Sequence, residues 1–385
     1  MSTSSAEPLV ATMVEPLERL VAFEPVPLPV ISVYLNTQSD QHGRDPEVVP
    51  YLEREFKTLA RTWPAGSPEH KSFDQDVERI VAYVKEQIDP AANGVAIFAC
   101  HGANEFFEAL QFSAPVSDNR IYVYNQPHLY HLAKIDDQYP RYAAVVTDAN
   151  TARIFVFGLG QTIDIDEIKG KKVHRVKVGG WSQARYQRRV GNAHQQHVNE
   201  VVERLEEIVR EEGIVRVIVA GDSAIVALIE QEMPHLAAIV ETMNLDVHAS
   251  EQEVLKATLE KLQQDESLAT AEKVQRLIDE ARGRGLAVVG PDATLEALAN
   301  GQVDELLISG SMDQNHPDPE AVEAILAPEI PDASGGMESE EPRRASLPDL
   351  LITKAKQTGA SITFVEEAGL LDPVDGVGAF LRWRA

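Results

Sequence analysis

The chain has 385 residues, of which 44% are hydrophobic and 25% are charged, and its formal net charge is −26. This composition is ordinary for a soluble globular protein, and the length predicts about two to three domains. No apolar run approaches the roughly 20 residues that cross a bilayer, and the acidity argues against non-specific binding to nucleic acid. We therefore expect no membrane and no DNA among the partners, and any RNA contact should be local.

Cysteine usage and the first residues bear on the cellular compartment. Cys100 is the single cysteine, which excludes an intramolecular disulfide and a cysteine-rich zinc site. Its neighbours in Val95–Cys100 are apolar, so the pattern favours a thiol packed in a buried strand. The start of the chain lacks the charged and apolar regions of a secretory signal. We expect a cytoplasmic protein.

Residues 1–138 form the first predicted domain, which is of the α/β class. Apolar residues at helical spacing predict helices over Tyr51–Trp63 and from Phe73 to Val84. The stretch around Tyr130 has a strand-like pattern. Apolar runs separated by turn residues predict strands over Val30–Leu35, Val95–Cys100, Phe106–Phe112 and Ile121–Tyr124.

Residues 139–266 form the second predicted domain, in which strands alternate with helices around a mixed sheet. From Val198 to Val209, apolar residues recur at the spacing of a long amphipathic helix, and Gly213 ends it. A strand from Val215 runs into a glycine turn and a further helix. Earlier strands are predicted over Tyr142–Asp148, Ala152–Phe157 and Thr162–Ile168.

Residues 267–385 form the third predicted domain. Residues 310–347 are rich in Pro, Asp, Glu, Gly and Ser, which indicates a mobile acidic insertion. Helices are predicted over Ala271–Arg282, Thr294–Ala299 and Pro348–Thr358. Strands are predicted over Leu286–Gly290, Glu305–Ser309 and Ser361–Val365, and the chain closes with Gly376–Trp383.

The most informative stretch is a basic segment, residues 169–189, which has eight Lys and Arg and no Asp or Glu. It contains the pair Gly179-Gly180, then Gln183, and then arginines that open the long helix. Two glycines permit backbone conformations closed to other residues and a close approach to a partner. The segment is a candidate site for a phosphate backbone, and a surface hairpin with a solvated basic helix start is the plainer alternative.

Two histidine pairs are weaker candidates. His194 and His197 lie three apart on the long helix, which can suit zinc, but no third ligand is obvious and helix-edge histidines are favoured. His128 and His131 flank Tyr130, and a structural role is favoured over metal binding there too. We expect no metal and no cofactor.

The turn Gly221-Asp222-Ser223 precedes a predicted helix and could bind phosphate at its N-terminus. A packing turn with Asp or Ser as helix cap is favoured.

The middle of the chain resembles a known family. Gly179-Gly180 with Gln183 and an arginine-rich helix is similar to the middle domain of archaeal and eukaryotic class-1 peptide-chain release factors. Those proteins carry Gly-Gly-Gln at the tip of the same strand-loop-helix, and bacterial members often carry Gly-Gly-Trp-Ser-Gln. Val219–Gly221 resembles the Leu-Ala-Gly turn that release factors share with Pelota.

The end of the chain resembles the same family. In the family, a glycine is followed by a helix that ends in Ala-Leu and then by Val-x-x-Leu-Leu-Ile. Gly290–Leu298 and Val303–Ile308 are similar to this pattern. Gly376–Trp383 is similar to the closing Gly-Ile-Gly-Gly-Ile-Leu-Arg-Tyr. The resemblance covers roughly residues 140–385 in family order. It implies a release-factor-like middle domain and a release-factor-like α/β/α C-terminal domain.

Two departures from the family pattern bear on activity. Trp181 and Ser182 separate the glycine pair from Gln183, so Gly-x-x-Gln remains, the form of relatives that cleave peptidyl-tRNA on stalled ribosomes. The first domain has no Asn-Ile-Lys-Ser segment, with which the family reads stop codons. The resemblance therefore points to termination-like release or rescue and away from codon-directed termination.

The resemblance implies hydrolysis of the peptidyl-tRNA ester, carried by Gly179, Gly180 and Gln183. This reaction needs a positioned water and a stabilised oxyanion. A glycine N–H can stabilise the oxyanion, and a glutamine side chain can orient the water without changing its own protonation state. The residues implied in RNA binding are cations and one aromatic: Lys171, Lys172, Arg175, Lys177, Trp181, Arg185, Arg188 and Arg189.

Three hypotheses on function stay open at this point. The first is a peptidyl-tRNA hydrolase that contacts rRNA and P-site tRNA, with a C-terminal domain that binds an elongation-factor-Tu-type GTPase as in relatives. The second is a non-catalytic ribosome hibernation factor of the Balon/Pelota type, which the loss of strict Gly-Gly-Gln favours. The third is an α/β RNA-binding protein unconnected to ribosomes.

Overall fold

A computed structural model describes residues 9–39, 47–169, 181–233, 240–314 and 346–384, with only the backbone for residues 181–190, 240 and 314. The chain divides into two compact units. The end unit combines Met1–Gln138 with Gln264–Ala385, and the middle unit is Tyr139–Gln263. Among the described residues, none of the helices has both the length and the apolar character needed to cross a bilayer.

The first segment of the end unit builds an antiparallel sheet, and two of its helices pack against one face. Its strands follow the order β3-β2-β1-β4. Apolar residues of α2 and α3 pack with alternate residues of β1 and β2, such as Val33 and Ile97, in one buried core. The elements are α1 (Val14–Val21), β1 (Val30–Asn36), α2 (Val48–Leu59), α3 (Pro68–Glu86), β2 (Gly94–Cys100), β3 (Phe106–Phe112), β4 (Arg120–Tyr124) and α4 (Tyr130–Gln138).

Most predictions for this segment are confirmed, and one is wrong. The four predicted strands and two predicted helices are present within a few residues of their expected bounds. Cys100 is fully buried in β2, and burial raises the pKa of its thiol to about 11. The strand-like stretch around Tyr130 is instead the beginning of helix α4. Its buried residues Tyr130, Leu132, Ala133 and Ile135 do not alternate as the residues of a one-sided strand would.

The middle unit contains a mixed five-stranded sheet. Strand order is β7-β6-β5-β8-β9, with β5, β8 and β9 parallel and β6 and β7 antiparallel to their neighbours. The elements are β5 (Tyr142–Thr147), β6 (Thr151–Gly158), β7 (Gln161–Lys169), α5 (Trp181–Glu211), β8 (Val217–Gly221), α6 (Ser223–Glu232), β9 (Val240–Met243) and α7 (Glu251–Arg282), which continues into the end unit.

Strand β5 shows why this sheet is buried on both faces. Ala143 and Val145 belong to the core formed with α5 and α6. Tyr142, Ala144 and Val146 belong to a second core, formed with Val254 and other apolar residues of α7. Because successive side chains of a strand point to opposite faces, helices on both sides favour a continuous apolar run.

The end of β8 requires a glycine. Gly221 has φ +124°, and a Cβ built there would lie 1.9 Å from the carbonyl oxygen of Thr147 in β5. The next amide, that of Asp222, donates to the same carbonyl at 2.9 Å. The Asp222 carboxylate accepts from the amides of Ala224 at 2.9 Å and Ile225 at 3.3 Å. The turn therefore packs two strands together and caps α6, as favoured from the sequence.

The last segment of the end unit carries a second four-stranded sheet, in the order β10-β13-β11-β12. Strands β11 and β12 are parallel, and the other two pairs are antiparallel. Most of the predicted acidic insertion, residues 310–347, lies outside the described residues. The elements are β10 (Ala287–Val289), α8 (Pro291–Ala299), β11 (Val303–Ser309), a 3-10 turn (Met312–Gln314), α9 (Leu347–Gln357), β12 (Ser361–Val365) and β13 (Val377–Leu381).

The α/β class predicted from the sequence is confirmed by these sheets and their helices. The two-unit division breaks the chain after Gln138 and after Gln263. The first and last segments keep separate sheets within the end unit. The three-domain scheme of 1–138, 139–266 and 267–385 stays a prediction.

Replacement of Gly221 tests the turn that joins β5 and β8. We expect Gly221→Ala to cost about 3 kcal/mol or more, since a backbone collision with Thr147 forces the strands apart. Gly213→Ala is the matched control, because Gly213 also has positive φ (+62°) but open space around a new Cβ. We expect that control to cost about 1 kcal/mol. Guanidinium unfolding followed by far-UV circular dichroism measures both, and equal losses would contradict the collision.

Candidate functional site

The basic segment runs from the last residue of β7 into the beginning of α5. Strand β7 ends at Lys169 and α5 begins at Trp181, so the predicted strand-loop-helix order holds at both ends. The connecting residues 170–180 lie outside the described residues. They include the glycine pair Gly179 and Gly180. They also include four of the predicted RNA-binding cations, namely Lys171, Lys172, Arg175 and Lys177.

The remaining predicted site residues begin helix α5, for which the backbone is described. Gln183 lies in its first turn, and Arg185, Arg188 and Arg189 follow at i, i+3 and i+4. Residues with this spacing share one face of a helix. Trp181 is the first helical residue. The catalytic and RNA-binding roles of all these residues stay predictions.

Helix α5 is anchored by its second half, well away from the basic segment. Apolar residues Val198, Val201, Leu205 and Ile208 are buried in the core shared with the sheet. On its edge, Arg204 Nε lies 2.5 Å from Asp166 Oδ2 of β7. Such a half-exposed ion pair contributes at most about 1 kcal/mol. The buried stripe therefore holds the helix, and the ion pair ties it to the strand that leads into the basic segment.

The histidine pair on α5 lies near this stripe. His197 is only 2% exposed, so it belongs to the core, and the expectation that both histidines sit at the helix edge is wrong for it. Burial lowers the pKa of His197, which favours a neutral imidazole. Within the described part of the chain, no carboxylate, histidine or cysteine joins His194 and His197 to make a group of three metal ligands.

The second histidine pair is part of a buried cluster in the end unit. We name as the His–Asp cluster the residues Tyr122, His128, His131, Asp313 and Asp349, which come from β4, the chain before α4, α4 itself, the 3-10 turn and α9. The rings of Tyr122 and His128 stack with centroids 3.6 Å apart. The sequence placed His128 and His131 together and gave no indication of the other three.

Asp349 is the fully buried centre of one half of the cluster. Its Oδ1 accepts hydrogen bonds from the amides of Leu129 at 2.9 Å and Tyr130 at 3.1 Å. Its Oδ2 accepts from the Ser346 hydroxyl at 2.8 Å and forms a short hydrogen bond with His128 Nδ1. One carboxylate thus caps the first turn of α4 while Ser346 caps α9.

Asp313 is the centre of the other half. Its Oδ2 lies 2.5 Å from the Tyr122 hydroxyl, which donates, and 3.2 Å from His131 Nε2. Burial alone would raise the pKa of Asp313, but the hydrogen bond from His131 and the neighbouring His128 and Tyr122 hold that pKa well below its ordinary value. Burial raises the pKa of Tyr122 far above its usual range, so the phenol keeps its proton. Asp313 is therefore an ionised acceptor.

Helix α4 connects the two segments of the end unit. The Tyr130 hydroxyl donates to the carbonyl oxygen of Ser309 at 2.6 Å, and Lys134 Nζ donates to that of Gly310 at 2.7 Å. The amide of Phe364 in β12 donates to Asp137 Oδ2 at 3.1 Å. Residues before position 138 thus contact β11, the residue that follows it, and β12.

The middle of the chain is similar to a known protein family. Residues 127–263 match the bacterial archaeo-eukaryotic release factor family 10. We name residues 127–263 the release-factor segment, after this similarity. The release-factor segment contains the whole basic segment, and the resemblance inferred from the sequence is confirmed there. None of the curated proteins matches the chain.

Solved structures with similarity to the chain include an archaeal termination factor and a Pelota protein. The archaeal translation termination factor aRF1 is 15% identical over 96% of this chain and 97% of that one, with a TM-score of 0.26. Archaeoglobus fulgidus Pelota is 14% identical, covering 76% and 79%, with a TM-score of 0.35. S. cerevisiae Dom34 is 12% identical, covering 76% and 79%, with a TM-score of 0.42. Dom34 is described as a translation termination-like factor that interacts with Hbs1.

Removal of the Asp349 carboxylate tests its role as the cap of α4. We expect Asp349→Ala to lower the free energy of unfolding by about 3–5 kcal/mol, because two amides and a histidine lose a buried partner together. Ser346→Ala removes the cap of α9 and one of the hydrogen bonds to Asp349, and should cost about 1–2 kcal/mol. Guanidinium unfolding compares the two variants. A smaller loss in Asp349→Ala than in Ser346→Ala would contradict this assignment.

Proposed function

We propose that the protein is a cytoplasmic factor that binds the ribosomal A site and hydrolyses peptidyl-tRNA during rescue or termination-like release. The observation that carries the proposal is the family match over residues 127–263, which spans Gly-Gly-Trp-Ser-Gln at positions 179–183. The helix that begins at Trp181 supports it, because Gln183 then lies in a first helical turn directly after the glycine pair.

The chemistry requires little from the protein beyond placement. Attack of water on the ester produces an oxyanion, which the N–H of Gly179 or Gly180 could stabilise at close range. The amide of Gln183 would orient the water without changing protonation state. The tRNA and rRNA around the ester complete the site, so a nucleophile-and-base pair within the chain is not required.

Docking would use the local excess of positive charge. The cations of residues 169–189 contrast with a net charge of −26 for the whole chain. Phosphate groups of rRNA and tRNA attract such a segment, whereas the acidic remainder is repelled by them. The basic segment would therefore be the part that approaches RNA, with Arg185, Arg188 and Arg189 on one helix face.

A second candidate is occupancy of the A site without chemistry, as in ribosome hibernation. Trp181 and Ser182 favour it, since they displace Gln183 from the position next to the glycine pair. The two candidates share the docking mode and differ only in peptide release.

For the partner GTPase, we expect an elongation-factor-Tu-type protein to bind residues 268–385. The support is the resemblance of Gly290–Leu298, Val303–Ile308 and Gly376–Trp383 to release-factor sequences. Full-length protein immobilised on resin should retain such a GTPase from a purified mixture of its GTP and GDP forms. Retention no greater than by an unrelated protein of similar acidity would remove this partner.

Charge reversal in the basic segment tests docking. We expect Arg188→Glu with Arg189→Glu to weaken ribosome binding by on the order of 10-fold at low salt and to flatten its salt dependence, because phosphate contacts are lost. Arg210→Glu with Lys256→Glu is the charge-matched control, since both residues are exposed and lie outside the basic segment. Co-sedimentation over a range of salt concentrations measures binding. Equal effects in the two double variants would contradict local docking.

Replacement of Gln183 tests catalysis. We expect Gln183→Ala to leave ribosome binding unchanged and to slow peptide release by about 100-fold, the scale for loss of one oxyanion-stabilising group. Gln187→Ala, the same change one turn further along α5, is the control and should release at the wild-type rate. The assay is single-turnover release of labelled peptide from ribosomes with an empty A site.

The same assay separates the two candidate functions. Release by wild-type protein that depends on Gln183 supports hydrolysis. Tight binding of wild-type protein to vacant ribosomes without release would replace hydrolysis with A-site occupancy. Wild-type release that Gln183→Ala does not slow would leave Gln183 without a catalytic role.

A further inference from the structure

Two buried polar atoms of the His–Asp cluster face each other at a distance too long for a hydrogen bond. Within the described residues, neither His128 Nε2 nor Asp313 Oδ1 has a hydrogen-bond partner. The two atoms lie 3.6 Å apart, and their side chains are 0% and 3% exposed. Buried polar atoms are nearly always paired, because leaving one unpaired costs about 1–3 kcal/mol. This pair therefore points to a cation between or beside the two atoms.

The tautomer of His128 strengthens this conclusion. Its Nδ1 hydrogen-bonds to Asp349 Oδ2, and an ionised carboxylate can only accept. With Nδ1 as the donor of that bond, the other ring nitrogen, Nε2, faces Asp313 Oδ1. A histidine whose Nδ1–H is held by a carboxylate, with its other nitrogen free, is the usual arrangement of a metal-binding histidine.

A third donor lies beside the pair. His131 Nε2 is 3.2 Å from Asp313 Oδ2, and the three candidate ligand atoms of His128, His131 and Asp313 all lie within 4.8 Å of one another. Ligands at about 2.0–2.1 Å from a tetrahedral metal are separated by roughly 3.3 Å. The separation of 3.6 Å between His128 Nε2 and Asp313 Oδ1 is close to this value, and 3.2 Å separates His131 Nε2 from the other oxygen of Asp313, Oδ2.

The Tyr122 hydroxyl lies 2.7 Å from His131 Nε2 and 2.5 Å from Asp313 Oδ2, so an ion bound by His131 would displace the first of these hydrogen bonds. Arg120 Nη1 is 3.9 Å from Asp313 Oδ2. The side chain of His131 is 19% exposed, which provides a path of entry. A cavity of about 90 Å³ borders His131, Asp313 and Lys134 and could supply a water ligand. The donor set of two imidazoles and one carboxylate suits a borderline transition metal better than Mg²⁺ or Ca²⁺.

We propose that His128, His131 and Asp313 bind one divalent transition-metal ion, with Zn²⁺ as the fitting probe, and that Asp349 orients His128 from outside. The site is independent of ribosome binding and departs from the sequence-based expectation of no metal. It joins residues 128–131 to residue 313, so the ion would fasten the first segment of the end unit to the last. Its effect would therefore be on the stability of that unit.

Direct titration tests the site. Untagged full-length protein, stripped with a chelator and transferred to metal-free buffer near neutral pH, is titrated with Zn²⁺ and, separately, with Mg²⁺ in a calorimeter. We expect one Zn²⁺ per chain, no measurable uptake of Mg²⁺, and a higher thermal unfolding midpoint with Zn²⁺. Absence of Zn²⁺ binding by the folded wild-type protein would overturn the proposal.

Variants assign the ligands. We expect His131→Gln and Asp313→Asn to weaken Zn²⁺ binding by about 100-fold or more, since each removes a direct ligand, and outer-partner losses already cost 10–100-fold. Asp349→Asn keeps an oxygen for the amides of α4 but offers an NH₂ group to His128 Nδ1, and should weaken binding by about 10–100-fold. His194→Gln, from the other histidine pair, is the matched control and should bind like wild type.

His131 is partly exposed, so its replacement is the variant that tests binding with the least risk to folding. Circular dichroism confirms the fold of each variant before titration. Wild-type affinity in folded His131→Gln and Asp313→Asn would overturn the site. A loss confined to His194→Gln would overturn it as well, because binding would then belong to helix α5.

Discussion

A single buried carboxylate determines where two helices of the end unit begin. The first N–H groups of a helix have no partner within it and favour a negative charge. Asp349 meets this need for α4 through Leu129 and Tyr130, while its contact with Ser346 fixes the first turn of its own helix, α9. The contacts that α4 makes with β11 and β12 depend on this placement, as does the ring of His128. Loss of this one charge would therefore disturb both segments.

The sequence predicted most elements because their causes are local. In β5, an unbroken apolar run reflects helices on both faces of the sheet, and its bounds differ from the prediction by one residue. At Gly221 and Asp222, the special backbone angle and the helix cap lie next to each other in the chain, so their residue types reveal the turn. The apolar stripe of α5 and its end near Gly213 follow from helical spacing in the same way.

The His–Asp cluster was not predictable for the opposite reason. Asp313 and Asp349 are ordinary acidic residues in sequence, and only the fold brings them to His128 and His131. The helix at Tyr130 was missed because its N-terminal cap is supplied by a residue far away in the chain. The one local signal was Ser346 three residues before Asp349, a capping-box spacing that marks a helix start. Nothing in that spacing shows that the carboxylate also serves a second helix.

The pairing of His128 with Asp349 spans 221 residues, and this separation has a consequence for synthesis. At translation rates of 5–20 residues per second, the first segment leaves the ribosome roughly 10–45 s before Asp349 is made. The middle unit, Tyr139–Gln263, is complete within that interval and has its own core. The start of α4 must meanwhile remain uncapped in the nascent chain. The end unit is therefore assembled last, when the final segment binds to the first segment, which was synthesised early in translation.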